Sequence, residues 1–213
     1  MFALVLPAII LHEVSHGYVA YLLGDSTAKD RGRLSLNPLK HIDPWGTILL
    51  PLLMIAVFGF GFGYAKPVPI NPYHFKDFRK GMFLTGIAGP VTNLLLAILS
   101  GLMVRVLAFL NVQTFAYMEL LTLGFYFFAL VNLSLMFFNL IPLPPLDGSR
   151  VLPLFLSDRA MVTYAKWERY GFFILFGVLW LVPQVFNISP IGSYFAVTVE
   201  PMLRLLTGGY TVG

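Results

Sequence analysis

Five consecutive residues, His12-Glu13-Val14-Ser15-His16, interrupt an apolar run that extends from Phe2 to Leu23. On an α-helix, positions i and i+4 share a face about 6 Å apart along the axis, so His12 and His16 can turn two imidazoles onto one cation. Glu13 lies one residue round the helix. It is displaced from the pair as an equal ligand but close enough to take a proton from a water acidified by that cation. Two histidines with a carboxylate at this H-E-x-x-H spacing suit a zinc centre built for hydrolysis. The bland alternative is a pair of buried, hydrogen-bonded histidines with an incidental Glu. Burying three polar groups in an apolar helix is costly, which favours the metal reading.

A catalytic zinc takes three protein ligands and keeps a fourth position for water. The chain has no cysteine, which excludes disulfides, iron–sulfur sites and thiolate-held zinc, so the third ligand must be another His or a carboxylate. Asp147 is the candidate. It ends the stretch Asn139-Leu140-Ile141-Pro142-Leu143-Pro144-Pro145-Leu146-Asp147-Gly148, whose prolines stop the preceding helix. Unwound chain at membrane depth is tolerated only inside protein or against a wet cavity. The competing role for Asp147 is an N-cap of the segment beginning near Ser149-Arg150. Asn93 is a lone amide in the apolar run Met82–Leu110, just after Gly86 and Gly89-Pro90. It can hydrogen-bond a substrate backbone or a developing oxyanion.

The elements that must position these residues belong to a bilayer protein. Hydrophobic residues make up 58% of the chain and charged residues 11%, with a mean hydropathy of +0.80; soluble domains carry about 25% charged residues. The net charge of +4 is read through the positive-inside rule, and no basic run with interleaved aromatics points to nucleic acid. The expected fold is an all-α, multi-pass helical bundle of about five to six membrane segments, forming a single domain over 1–213. Its catalytic core covers about 2–150, and further membrane helices occupy about 151–213. Phe2–Leu23 lacks a basic leader and a small-residue cleavage site, so it reads as a retained helix with the histidines near mid-depth. Met82–Leu110, Leu120–Phe138, Gly171–Val185 and Ile188–Leu206 are further apolar segments, and Ser157–Arg169 is a charged connector.

Trp45–Phe60 is short and carries Pro51. The loops on either side of it, Lys29–Asp43 and Gly61–Lys80, are both basic, which favours a re-entrant element over a span. Both loops are expected to be cytoplasmic, with the active site inside the bilayer and opening to that side. Alternate prolines force Ala65-Lys66-Pro67-Val68-Pro69-Ile70 to be extended. Close to the active site, such a segment can pair with an unwound substrate; the alternative is a plain connector.

Three motifs resemble those of the site-2 protease family of intramembrane zinc metalloproteases. They are H-E-x-x-H-x-x-x-A at His12, Glu13, His16 and Ala20; G-x-x-x-N at Gly89 and Asn93; and N-x-x-P-x-P-x-L-D-G at Asn139, Pro142, Pro144, Leu146, Asp147 and Gly148. The resemblance covers roughly His12 to Arg150. It implies a multi-pass membrane protease that cuts transmembrane helices of other proteins, with one zinc per chain held by His12, His16 and Asp147. It further implies Glu13 as general base, Asn93 and Asn139 as substrate contacts, and Lys66-Pro67-Val68-Pro69 as a strand offered to the substrate. Many relatives carry a PDZ or CBS domain, which this chain lacks. The competing classes are a silent binder of membrane helices, which has no need of Glu13, and a metal or solute transporter, which predicts more intramembrane carboxylates and an internal repeat.

Overall fold

A computed structural model describes residues 2–41, 43–58, 66–110 and 116–210. Its longest element sets the frame. A 32-residue helix, α4 (Phe78–Phe109), presents a stripe at helical spacing that includes Gly86, Gly89, Asn93, Ala97, Gly101 and Val104, all buried. Small side chains on that stripe bring neighbouring helices close. Helix α1 (Phe2–Leu22) packs on its first half, and α5 (Ala116–Asn139) packs along it. At the far end a Cβ on Gly101 would lie 2.7 Å from Leu206 Cβ, so only glycine admits the last helix there. The core of Ala97, Ala129, Leu133, Met136, Val199 and Leu203 sits where these helices meet.

Short elements connect the frame. Between α1 and α4 come α2 (Thr27–Asp30) and α3 (Leu50–Phe58). After α5 the prolines carry the chain to α6 (Gly148–Val151), then α7 (Asp158–Glu168), α8 (Gly171–Phe176), α9 (Val182–Phe186) and α10 (Pro190–Thr207). A π-helical turn, Gly177–Leu181, joins α8 to α9. Side chains cap the helix starts as expected: Asp77 accepts from Lys80 N–H at 3.1 Å, and Ser189 from Gly192 N–H at 3.1 Å. The charged stretch Ser157–Arg169, expected as a connector, carries the helix α7 with Ser157 as its cap.

The chain is all-helical among the described residues, with fewer membrane-capable helices than the expected five to six. Two are long and apolar enough to cross a bilayer, Phe78–Phe109 and Tyr117–Asn139. A third is obtained if α7 and the α8–α9 helix, bent 64° to one another, form one broken span. The reasons are compositional. Glu200 and Arg204 lower the mean hydropathy of α10. The nine-residue α3 with the six-residue turn before it reaches about 22 Å at 1.5 Å per residue, short of a ~30 Å core. Large apolar side chains such as Leu95, Leu99, Val106 and Leu120 stand exposed on the long helices, as a lipid-facing surface requires.

Trp45–Phe60 lies partly outside the described residues, as does the nearby Ala65. Lys66 N–H donates to His41 O at 3.0 Å, which brings the two flanking loops together. Lys66–Ile70 follows as irregular, extended chain beside α1.

Candidate active site

His12 and His16 project from one face of α1, with ring centroids 4.7 Å apart and planes at 80°. Both are buried. Each ring is held by its Nδ1: His16 donates to Thr85 O at 2.6 Å, and His12 to Asn93 Oδ1 at 3.2 Å. With Nδ1 carrying the proton, each Nε2 presents a lone pair. These lone pairs face one another at 3.0 Å and face Asp147 Oδ2 at 3.0 and 3.1 Å. Three acceptors converging with no proton between them is an arrangement that a cation satisfies. The donor set of two imidazoles and one carboxylate suits zinc, and the three ligand atoms lie within 4.8 Å of one another.

Each ligand has a structural reason for its place. Gly89 lies under the two rings, where a Cβ would come within 2.4 Å of His12 Cε1 and of His16 Nε2. That gives the G-x-x-x-N spacing a physical meaning: Gly89 makes room for the histidines, and Asn93, one turn on, orients His12. Asp147 stands at the N-cap position of α6 but makes no capping hydrogen bond. Its carboxylate turns to the histidines, as the ligand role considered for it requires. Arg150 Nη1 lies 3.6 Å from its other oxygen, Oδ1. Gly148 lets the chain pack on the end of α5, where a Cβ would lie 2.3 Å from Leu140 O.

A cavity of about 500 Å³ opens beside the three ligands, and Glu13, Pro67, Val68, Asn139 and Arg150 are among its walls. Glu13 Oε2 accepts from Val68 N–H at 3.1 Å, bringing the extended segment onto the carboxylate. Of the residues expected to meet substrate, Pro67, Val68 and Asn139 line this cavity; Lys66, Pro69 and Asn93 do not. Asn93 is fully buried against His12, and Asn139 donates through Nδ2 to Leu135 O at 2.9 Å. Sequence reasoning did not find Thr85 or Arg150. Thr85 acts through its carbonyl, which has no signature in a sequence, whereas Arg150 could have been suspected from its place three residues after Asp147.

Fold and site together define a membrane protein with a metal-dependent hydrolytic centre. Comparisons with known proteins agree. The model of peptidase family M50 matches residues 111–182. The chain is 42% identical over 195 residues to "Putative zinc metalloprotease YwhC" of Bacillus subtilis, covering 91% of this chain and 81% of that protein. It is 31% identical to "Putative zinc metalloprotease Rip2" of Mycolicibacterium smegmatis, covering 89% of this chain and 73% of the relative. With "Zinc metalloprotease MJ0392" of Methanocaldococcus jannaschii the identity is 28%, over 75% of this chain and 35% of the relative. No solved structure matches the chain. The chain belongs to peptidase family M50, in keeping with the resemblance its three motifs carry, and is a metalloprotease whose cofactor is zinc.

Proposed function

We propose that this chain is an intramembrane protease of the site-2 type, hydrolysing peptide bonds within or near transmembrane helices of other proteins. The observation that carries the reading is one cavity walled by the His12–His16–Asp147 cluster, the Glu13 carboxylate and the extended Pro67–Val68. Zinc held by the three ligands supplies a Lewis acid that makes a water acidic near neutral pH and polarises a carbonyl. Glu13 is the general base. Its Oε2 is engaged by Val68 N–H, and Oε1 takes the proton from the water, which adds to the scissile carbonyl carbon. Protonated Glu13 then delivers that proton to the leaving amine as the C–N bond breaks. Asn93 keeps His12 in the tautomer that leaves Nε2 free, and Asn139 hydrogen-bonds the substrate backbone.

The substrate helix must unwind first, because its carbonyls are engaged in i→i−4 hydrogen bonds. An extended Pro67–Val68 beside the base gives the unwound peptide a surface to lie against. The whole chain acts as a single catalytic domain, multi-pass in the cell membrane, with the site inside the bilayer and open to the cytoplasmic side.

Zinc content of the purified protein, measured with cleavage of a test transmembrane substrate by wild type and Glu13→Gln, checks this. About one zinc per chain is expected in both, with cleavage lost by on the order of 10²-fold or more in the variant. Equal cleavage by Glu13→Gln would remove Glu13 as base. A folded protein that binds no zinc would remove the mechanism.

A further inference from the structure

The extended segment Lys66–Asn71 lies beside the catalytic helix with no sheet to hold it. Pro67 and Pro69 carry no N–H, so a regular β-ladder cannot form along it. It is fastened at separate points instead. Lys66 N–H donates to His41 O at 3.0 Å, Val68 N–H to Glu13 Oε2 at 3.1 Å, and Asn71 N–H to Asp25 Oδ2 at 2.6 Å. The buried Val68 side chain rests on Gly17, where a Cβ would lie 2.6 Å from Val68 Cγ1.

Those contacts use the N–H groups of Lys66, Val68 and Asn71 and one side chain. The carbonyls of Lys66 and Pro67 are taken by Arg33. Nη2 donates to Lys66 O at 2.7 Å and to Pro67 O at 3.4 Å, while Nη1 donates to Lys40 O. A planar guanidinium with five N–H donors is the side chain best able to gather carbonyls from two separate stretches. One residue thereby joins the loop after α2 to the two residues immediately before Val68. Arg33 Nε is buried without a partner. That is a desolvation cost a freely solvated arginine does not bear, and it is offset only if the terminal nitrogens are firmly held. Arg33 does not line the catalytic cavity, so it does not touch a peptide bound there.

We propose that Arg33 is a positioning residue for substrate: it latches the Lys66–Asn71 segment so that Val68 stays against Glu13, and it thereby sets affinity for an unwound peptide. The inference rests on the protease reading given above. A peptide laid along an extended segment gains its main-chain hydrogen bonds at full value only when that segment is already in place. Ordering the segment at the moment of binding subtracts from affinity.

The absence of cysteine allows a direct test, with Gly17→Cys and Val68→Cys introduced together as a reporter of segment position. Cross-linking rate, zinc content, KM and kcat on a test transmembrane peptide are measured with Arg33 intact, Arg33→Lys and Arg33→Ala. The expected result for Arg33→Ala is unchanged zinc, slower cross-linking, a KM raised about tenfold and a kcat within about twofold, the loss of one charged hydrogen-bonding group. Arg33→Lys recovers part of the KM, and closing the cross-link in Arg33→Ala returns KM to that of the cross-linked parent. An unchanged KM in both variants overturns the proposal, whether or not cross-linking slows. So does a loss of zinc with a fall in kcat, which would mark Arg33 as a support of the metal site. If the wild-type chain binds zinc but cleaves nothing, the protease reading falls, and the cross-linking rate still decides whether Arg33 is a latch.

Discussion

At the scale of single residues, the site depends as much on missing atoms as on the ligands. His12 and His16 need the space that a side chain at position 89 would occupy, the nearest ring atoms lying 2.4 Å from where its Cβ would stand. Gly89→Ala therefore forces both rings to move. Each ring is also tied at Nδ1, His16 to Thr85 O and His12 to Asn93 Oδ1, so neither can move without breaking a buried hydrogen bond. The variant is expected to keep its helical content and lose zinc affinity by roughly tenfold or more, read by zinc retained against a chelator. Full retention of zinc would show that the close approach of α1 to α4 is not needed for binding. Asn93→Ala removes only the partner of His12 Nδ1 and is expected to weaken zinc binding less than Gly89→Ala. If the two ranked the other way, ring orientation would outweigh space in forming the site.

At the scale of elements, α1 and the extended segment are held together by a buried carboxylate. Asp25, inaccessible to solvent at the end of α1, accepts from Thr27, from Asn71 N–H at 2.6 Å and from His74 Nδ1 at 2.8 Å. Asn71 Nδ2 lies 3.1 Å from His74 Nε2, which ties the two partners of Asp25 to one another. Burial pushes the Asp25 carboxyl up, but the hydrogen bonds from Thr27, Asn71 and His74 together outweigh it and hold the group below its ordinary 3.8. A carboxyl depressed on folding stabilises the fold fully above its unfolded value, about 3.9. That contribution is lost as pH falls through the lower folded value. Thermal unfolding should therefore separate wild type from Asp25→Asn at pH 7, and the gap should close as pH drops below about 4. A gap that stays constant down to pH 2 would mean that the charge of Asp25 contributes nothing.

The same elements show what a sequence can carry. The meeting of His12, His16 and Asp147 was legible because metal chemistry restricts side-chain type and helical spacing at once. The extended course of Lys66–Ile70 was legible because proline fixes its own backbone and that of the residue before it. The Thr85 carbonyl and the grip of Arg33 on Lys66 O were not, since backbone acceptors leave no trace in residue type. The same holds for Arg105. It donates through Nε to Leu206 O at 2.8 Å and through Nη2 to Leu205 O, satisfying the free carbonyls at the end of α10. Such a cap depends on two helices a hundred residues apart meeting, which local pattern does not reveal.

At the scale of the whole molecule, the described contacts gather the basic loops at one end of the bundle. Asp25 at the end of α1 is bonded to Asn71 and His74, just before α4 begins. Arg79 at the start of α4 pairs with Asp158 at the start of α7. The loop after α2, the extended segment, the start of α4 and the start of α7 therefore share one end, and α4 and α5 run away from it and back. These shared segments include Lys29, Arg31, Arg33, Lys40, Lys66, Lys76, Arg79, Lys80 and Arg159. By the positive-inside rule a bias of this size favours the proposed cytoplasmic placement of that end. The chain lacks cysteine, so Leu36→Cys, Arg159→Cys and Glu119→Cys, all at exposed positions, can be labelled one at a time with a membrane-impermeant maleimide. In vesicles of known orientation, Leu36→Cys and Arg159→Cys should react together from the cytoplasmic face, and Glu119→Cys from the opposite one. Labelling of Leu36→Cys and Arg159→Cys from different faces would break the arrangement that puts the ends of α1, the extended segment and α7 on one side. Labelling of those two together from the outer face would keep the arrangement and invert the proposed opening of the site.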